Sequence, residues 1–328
     1  MNLEDIQSLH LDKNKFYFVL PWGLGDTMIF CGLKKALEQK LGGEVYFIIK
    51  PSHALIMQMY GIQGYTTVKV TYSYPHHSPV LIELAAQNPY PEKGKLFVAH
   101  PEFHPRFSQM VYEMQANLPH IRFLSWYKQF LDIPDAPFAY PQHYPKVSLD
   151  LEKRLLTLVP DFSFEKTVLL LPEATSVLSP PRLFWIHLIK MLKKKNFIIL
   201  TNIINTQKQP LFEGTANIDL SLEELVALSL ACHDVYALRS GICDLIFTKE
   251  NHLHIYYPTE AIKNIFSLKD MFQAKNVDEI LLSKKIIAKH GWFSHEFNFI
   301  QSYNHIFEYS WYKFLGITLL SKRGFIGA

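Results

Sequence analysis

An α/β protein of two domains, each built on its own parallel sheet, is what this sequence predicts. Three observations carry that expectation. The run Phe16-Tyr-Phe-Val-Leu20 leads through a glycine turn into an amphipathic helix and then a second apolar run, Val45 to Ile49. The same strand–loop–helix–strand layout recurs from Val168 to Thr201. Between the two lies Asp132 to Lys146, with prolines at 134, 137, 141 and 145. Proline at that density favours an extended linker and marks a boundary. Strand–helix–strand units return the chain in the same direction, so the strands they join run parallel.

The bulk properties agree. A chain of 328 residues is long enough for two separate cores, and 48% hydrophobic with 14% aromatic content excludes disorder. A net charge of +3 is only mildly basic. It suits anionic small molecules or an acidic membrane surface, and no nucleic acid is expected as a partner. Cys31, Cys232 and Cys243 are sparse and lack metal-ligand spacing, which predicts a reduced, cytoplasmic setting. The first residues lack a basic-then-apolar signal pattern, and no apolar run approaches the ~18 residues of a membrane span.

Taken in order, the first unit is a strand, the loop Gly23-Leu-Gly-Asp26, and a helix over 27–41. In that helix Ile29, Leu33, Leu37 and Leu41 share one face and Gly42-Gly43 stops it. Further strands are expected over 63–70, 79–82 and 96–99, then helices over 107–117 and 125–131. The second domain opens with a helix over 150–159 and the strand Val168 to Leu171 ending at Pro172. A polar loop to Pro181, a helix over 183–194 and a strand over 197–201 follow. Ser221 and Glu224 form a capping box that starts a helix ending near Cys232. The strand Val235 to Leu238 runs into Arg239-Ser-Gly-Ile-Cys-Asp244, and His252 to Tyr257 is a further strand. The aromatic stretch from Trp292 to Ala328 is read as one or two helices packing back on the body. The expected domains are residues 1–146, 147–290 and this closing segment, 291–328.

Ligands of parallel α/β sheets bind at the carboxyl ends of the strands. Polar loops stand at such ends at Gly23–Asp26, His100–Arg106, Glu173–Arg182 and Arg239–Asp244, two per domain, and a cleft between the domains would gather them. Gly23-x-Gly25 permits close backbone approach to a ligand. A dinucleotide fingerprint would want glycine at position 28, which is Met28, and an acid after the second strand, where Lys50 stands; a Walker loop fails for want of Gly-Lys-Ser/Thr. Asp26 is either a catalytic base or a helix cap. Thr175, Ser176 and Arg182 either bind a diphosphate through hydroxyls, helix-terminal amides and a cationic fork or form a plain solvated loop. Arg239, Ser240 and Gly241 directly follow an apolar strand, which favours function over surface charge. His100, His104 and Arg106 are candidate acceptor or cleft residues. The two histidines lie between prolines and not on a helix, so no metal site is expected there, and no Asp-x-Asp occurs.

Four features together resemble glycosyltransferase family 9, the lipopolysaccharide heptosyltransferases and their relatives. They are Gly23-Leu-Gly-Asp26 after the first strand, the restart of the second domain as strand, proline and polar loop, the helix start Leu220-Ser-Leu-Glu-Glu224, and the late turn Arg239-Ser-Gly241. The resemblance implies a GT-B fold: two Rossmann-like domains facing a cleft, the first binding the acceptor and the second the nucleotide sugar, with a C-terminal helix crossing back. It implies a metal-independent, inverting transfer from a nucleoside-diphosphate sugar to a lipopolysaccharide, capsule or related glycan or glycolipid. The family's proposed base matches Asp26, its phosphate-contacting residues match Thr175, Ser176 and Arg182, and its glutamate after Ser-Leu matches Glu224. At the late turn the family shows Asp-Ser/Thr-Gly-x-x-His, whereas this chain has arginine at 239 and aspartate at 244. Arg239 is accordingly expected on the donor diphosphate. Two other classes fit the same layout: a nucleotide-sugar epimerase, which would consume donor alone, and a non-catalytic partner subunit. Trp311, Tyr312, Phe314, Lys322 and Arg323 are read as packing residues or as a contact with the inner membrane surface.

Overall fold

The computed structural model describes residues 9–69, 78–104, 107, 122–174, 177, 179–180, 182–203, 211–248 and 252–282, together with the backbone of four strands between 286 and 326. Two parallel sheets form the body. The first has four strands, β1 (Phe16–Val19), β2 (Val45–Ile49), β3 (Tyr65–Thr67) and β4 (Leu96–Val98), in the order β3-β2-β1-β4. The second has six, β5 (Thr167–Leu171), β6 (Ile198–Thr201), β7 (Ala216–Asn217), β8 (Asp234–Leu238), β9 (Leu253–Tyr257) and β10 (Val277–Leu281), in the order β10-β9-β8-β5-β6-β7. β1 sets the register of the first sheet, with Phe18 opposite Phe47 on one side and Phe97 on the other. Both faces of such a sheet are covered, so β1 and β5 are buried at every position.

The helices are α1 (Leu24–Leu41), α2 (Ala54–Met59), α3 (Pro79–Gln87), α4 (Phe123–Phe130), α5 (Leu149–Leu158), α6 (Arg182–Lys194), α7 (Leu222–Ala231), α8 (Gly241–Ile246), α9 (Glu260–Phe266) and α10 (Leu268–Phe272). α1 ends at Gly42, whose φ of 65° places it in the left-handed region that glycine tolerates. One stretch expected as a strand, 79–82, is instead the first turn of α3. Ser78 caps it by accepting the Leu81 amide, Pro79 suits the first helical position, and Leu81 and Ala85 are buried four residues apart. The helix expected over 107–117 lies outside the described residues, save Phe107.

The closing segment corrects a larger expectation. It holds no crossing helix among the described residues but a four-stranded antiparallel sheet, β11 (Ile286–His290), β12 (Phe293–Ser302), β13 (His305–Phe314) and β14 (Ile317–Ile326). Its first strand falls inside the range assigned above to the second domain. The sequence explains the change: aromatic residues fall on alternating positions, as at 297 and 299 and at 307, 309 and 311, which is a strand period with strand-forming residues.

One apolar cluster runs through both parallel-sheet units, from Phe18, Phe30 and Phe47 to Val235, Leu245 and Tyr257. The proline-rich linker lies across this seam. Its Ala139 amide donates to the Gly32 carbonyl at 2.9 Å, the amides of Gln142 and His143 donate to Met59 O, and the Tyr140 hydroxyl donates to Phe272 O of α10 at 2.9 Å. Phe138 packs on Phe272 and covers Gly32 so closely that a Cβ there would lie 2.2 Å from its ring. Gly32→Ala should therefore lower stability by about 1–3 kcal/mol, the usual cost of overpacking, read from the urea midpoint. An unchanged midpoint would show that the linker is not pinned to α1.

Candidate active site

In each parallel sheet the chain builds outward in one direction and then returns to the other side of its first strand. The reversal falls between β1 and β4 in the first sheet and between β5 and β8 in the second. Such switch points leave a crevice at the strand ends, because neighbouring loops there turn away from each other. The loops after these four strands are Gly23–Asp26, the stretch from His100, the stretch from Glu173, and Arg239–Asp244. The topology thus assigns all four polar loops to switch points.

Asp26 lies in the first turn of α1. Its Oδ2 accepts the Gly23 amide at 3.0 Å, so it does cap the helix. Its Oδ1 is held by something else: the hydroxyl of Tyr127 on α4 donates to it at 2.5 Å. Burial raises the carboxyl's pKa above the ordinary aspartate value, the Tyr127 and Gly23 hydrogen bonds pull against that, and nearby Asp244 adds to it. Lys50, at the end of β2, has its pKa lowered by burial against the opposing charge of Asp26. Glu102, in the loop after β4, is raised by burial and then by Asp26. Beneath them, Thr27 contacts His53 Nδ1 at 2.7 Å, and burial with Lys50 pushes that histidine down to about 4, so it is neutral at physiological pH.

The second domain meets this cluster at α8. A Cβ on Gly241 would lie 3.1 Å from Leu24 Cβ and 3.3 Å from the Gly25 amide nitrogen, and one on Gly25 would lie 2.5 Å from Asp244 Oδ2. The starts of α1 and α8 therefore touch through two glycines. Arg239 is 5% exposed and faces inward. It binds Asp244 with both terminal nitrogens, at 2.7 and 3.1 Å, gives Nε–H to Phe266 O at 3.0 Å, and donates to Ser240 O at 2.6 Å. Burial raises the Asp244 pKa, and Arg239 works against it. Four of the five guanidinium hydrogens are thereby used within the protein. Its role here is to pair with a buried carboxylate. Ser240 precedes α8 without a side-chain cap bond, with Oγ 3.9 Å from Cys243 Sγ.

The remaining candidates divide. His100 is buried between Trp22, at 4.5 Å between ring centroids, and Trp126, and its Nδ1 accepts the Glu102 amide; His104 bonds Val98 O through Nε2 at 2.7 Å. Both hydrogen bonds help hold the loop in place. Arg106, Thr175 and Ser176 lie outside the described residues. Arg182 donates to Leu211 O at 2.7 Å and stacks on Phe212 at the start of α6. Glu224 keeps its capping box, accepting the Ser221 amide at 2.9 Å, and its other oxygen takes Arg154 of α5 at 2.6 Å. Burial works against it, but the Ser221 amide and Arg154 hold the carboxyl below its ordinary range. It thereby ties α5 to α7.

Sequence reasoning missed Tyr127, Lys50, Glu102 and Asp244 as members of the site. For Asp244 a signal existed, since arginine and aspartate replace the residues expected at positions 239 and 244 together. Among the described residues no group of three or more His, Cys, Asp or Glu is arranged to hold a metal ion, and no helix is long and apolar enough to cross a membrane.

Two Rossmann-like units with opposed switch points can be compared with known structures. The ADP-heptose lipopolysaccharide heptosyltransferase II of E. coli matches with a TM-score of 0.50, over 84% of this chain and 92% of that one, at 13% identity. A family 9 glycosyltransferase from Veillonella parvula matches at 0.52, over 84% and 88%, at 11% identity. This is the GT-B fold. The iron-containing dodecameric glycosyltransferase TibC of enterotoxigenic E. coli also shares it, at 0.52 over 86% of this chain and 64% of that one, with 14% identity. No protein-family model matches the sequence, and no curated protein does. The likeness is thus one of GT-B architecture, carried by topology and not by shared residues.

Arg239→Leu would leave Asp244 buried against Gly25 without its partner. Urea unfolding should register a loss of about 3–5 kcal/mol, the cost of breaking a buried pair from one side. Adding Asp244→Ala should cost less than the sum of the two single changes. An arginine present only for a ligand would leave stability within ~0.5 kcal/mol.

Proposed function

We propose that this chain is a glycosyltransferase that moves a sugar from a nucleoside-diphosphate donor to a glycan or glycolipid of the lipopolysaccharide or capsule kind, with Asp26 as general base. The observation that carries this reading is the placement of Asp26. Its carboxylate stands where the two switch points meet, half-buried, hydrogen-bonded on both oxygens, with its pKa raised. A base works best with a pKa near the operating pH, and burial moves an aspartate in that direction. The GT-B likeness to a family 9 glycosyltransferase and to an ADP-heptose-dependent enzyme supports the donor class.

In this scheme the acceptor hydroxyl lies over the first domain and gives its proton to Asp26 as its oxygen attacks the anomeric carbon. The bond to the diphosphate breaks on the opposite face, so configuration inverts. The donor is proposed to lie along the Glu173–Arg182 loop after β5, with Thr175, Ser176 and Arg182 on the diphosphate. Arg239 does not contact it. No metal is assigned a part, and the setting proposed is the cytoplasm, at the inner face of the membrane.

Donor class is tested first by thermal shift with ADP, GDP, UDP and CMP. The cognate nucleotide should raise the melting temperature, because it binds only the folded chain. Asp26→Asn should then cut transfer by ~100-fold or more with donor affinity unchanged, the scale for losing a general base. In the wild type, kcat/KM should fall as pH drops through the Asp26 pKa, an acid limb above the ordinary aspartate value because the folded-state pKa is raised. Wild-type turnover in Asp26→Asn would end the base assignment. Consumption of donor without acceptor would favour an epimerase.

A further inference from the structure

We infer that Tyr127 is the positioning residue of Asp26: its hydroxyl fixes the carboxylate's plane and keeps the oxygens directed into the crevice. The inference rests on the reading of Asp26 as base. Tyr127 is fully buried on α4, and its ring meets those of Phe30, Phe123, Trp126 and His100 edge-on, with centroids 5.1–5.8 Å away. A ring so enclosed cannot rotate out, and its hydroxyl needs an acceptor where it stands. The acceptor is Asp26 Oδ1, 101 residues earlier in the chain, at 2.5 Å.

Capping does not require this contact. The Gly23 amide uses Oδ2 alone, and an aspartate held by one hydrogen bond still rotates about its terminal torsion, which is broad. The second hydrogen bond, from a rigid donor on a different element, removes that freedom. Pre-set orientation is what a base needs, since misplacement of a reacting group by a fraction of an ångström is costly in rate. The other charged groups facing Asp26 are Lys50 from β2, Glu102 from the loop after β4, and Asp244 with its partner Arg239 from the α8 side. They act on Asp26 through charge. Tyr127 and the Gly23 amide are its hydrogen-bond donors among the described residues.

Tyr127→Phe keeps the enclosed ring and removes only the hydroxyl. The first measurement needs no substrate: carbon-13 NMR of the aspartate carboxyls across pH, with Asp26→Asn to assign the resonance. Losing a donor to the charged form should move the Asp26 midpoint upward. With ADP-heptose, or whichever donor the nucleotide panel selects, kcat should fall roughly ten- to a hundredfold, the worth of one hydrogen bond to a charged group. Donor KM should hold, the acid limb should move up with the NMR midpoint, and Tyr127→Phe in an Asp26→Asn background should cost nothing further. If Tyr127→Phe does not fold, 3-fluorotyrosine placed at 127 gives the converse test, a stronger donor that should lower the midpoint. An unchanged midpoint in whichever variant folds overturns the inference and leaves the base reading standing. Full turnover in Asp26→Asn overturns the base reading, and the NMR shift still decides whether Tyr127 holds the carboxylate.

Discussion

The arrangement of this protein depends on the contact between two glycines. Gly25 in the first turn of α1 and Gly241 at the start of α8 let the two helix ends touch where any larger residue would hold them apart. Each helix start directs unsatisfied amide groups at the other, and two such ends repel. Each helix answers with an aspartate in its first turn, Asp26 in α1 and Asp244 in α8. The glycines set the distance and the aspartates make it tolerable. Because these helices follow β1 and β8, strands beside the two switch points, the same contact brings the two crevices together.

Two carboxylates so close cannot be treated alike. Each raises the other's cost of ionisation, and burial adds to it. The chain resolves this asymmetrically. Asp244 receives a buried bidentate arginine and is closed off from solvent. Asp26 receives a neutral phenol and an amide, and the nearby cation of Lys50 is at a distance that affects charge without forming a pair. A carboxylate with an arginine on it is a structural part. One held by neutral donors keeps a lone pair and a shifted pKa for chemistry, and pairs of acids pushed apart in this way are how sites divide their roles.

Much of this was legible in the sequence, and the reason is locality. The βαβ units, the glycine turn and the capping box are written within a few residues. The misreadings came where a local pattern had two solutions. Residues 79–82 are apolar enough for a strand, but Ser78 and Pro79 form a helix start. The closing aromatic stretch was read for its composition when its period of two was the better guide. Tyr127 carries no sequence signal at all, since what makes it matter is an aspartate in another element. Arg239 stands out in the sequence as a cation directly after an apolar strand, but its partner lies around a strand-to-helix turn, five residues on. An arginine directly after a buried strand has two destinations, a ligand or a buried acid, and a sequence does not say which.

The seam between the domains sets what the site requires of a substrate. Apolar packing is continuous from Phe138 through Phe272 to Phe247, and the linker's Tyr140 is bonded across it. Arg122 adds a salt bridge to Asp270 at 3.0 Å, and its guanidinium donates to Asn264 O. These contacts join the linker and the start of α4 to α9 and α10. The glycine contact between α1 and α8 is van der Waals touch, with no hydrogen bond across it among the described residues. An anion entering at the start of α8 faces Asp26 and Asp244, of which only the second is neutralised by an arginine. The donor site proposed at the loop after β5 lies across the second switch point from β8. In the proposed reaction Asp26 then meets the acceptor from the first domain, whose Tyr127 donates to its carboxylate.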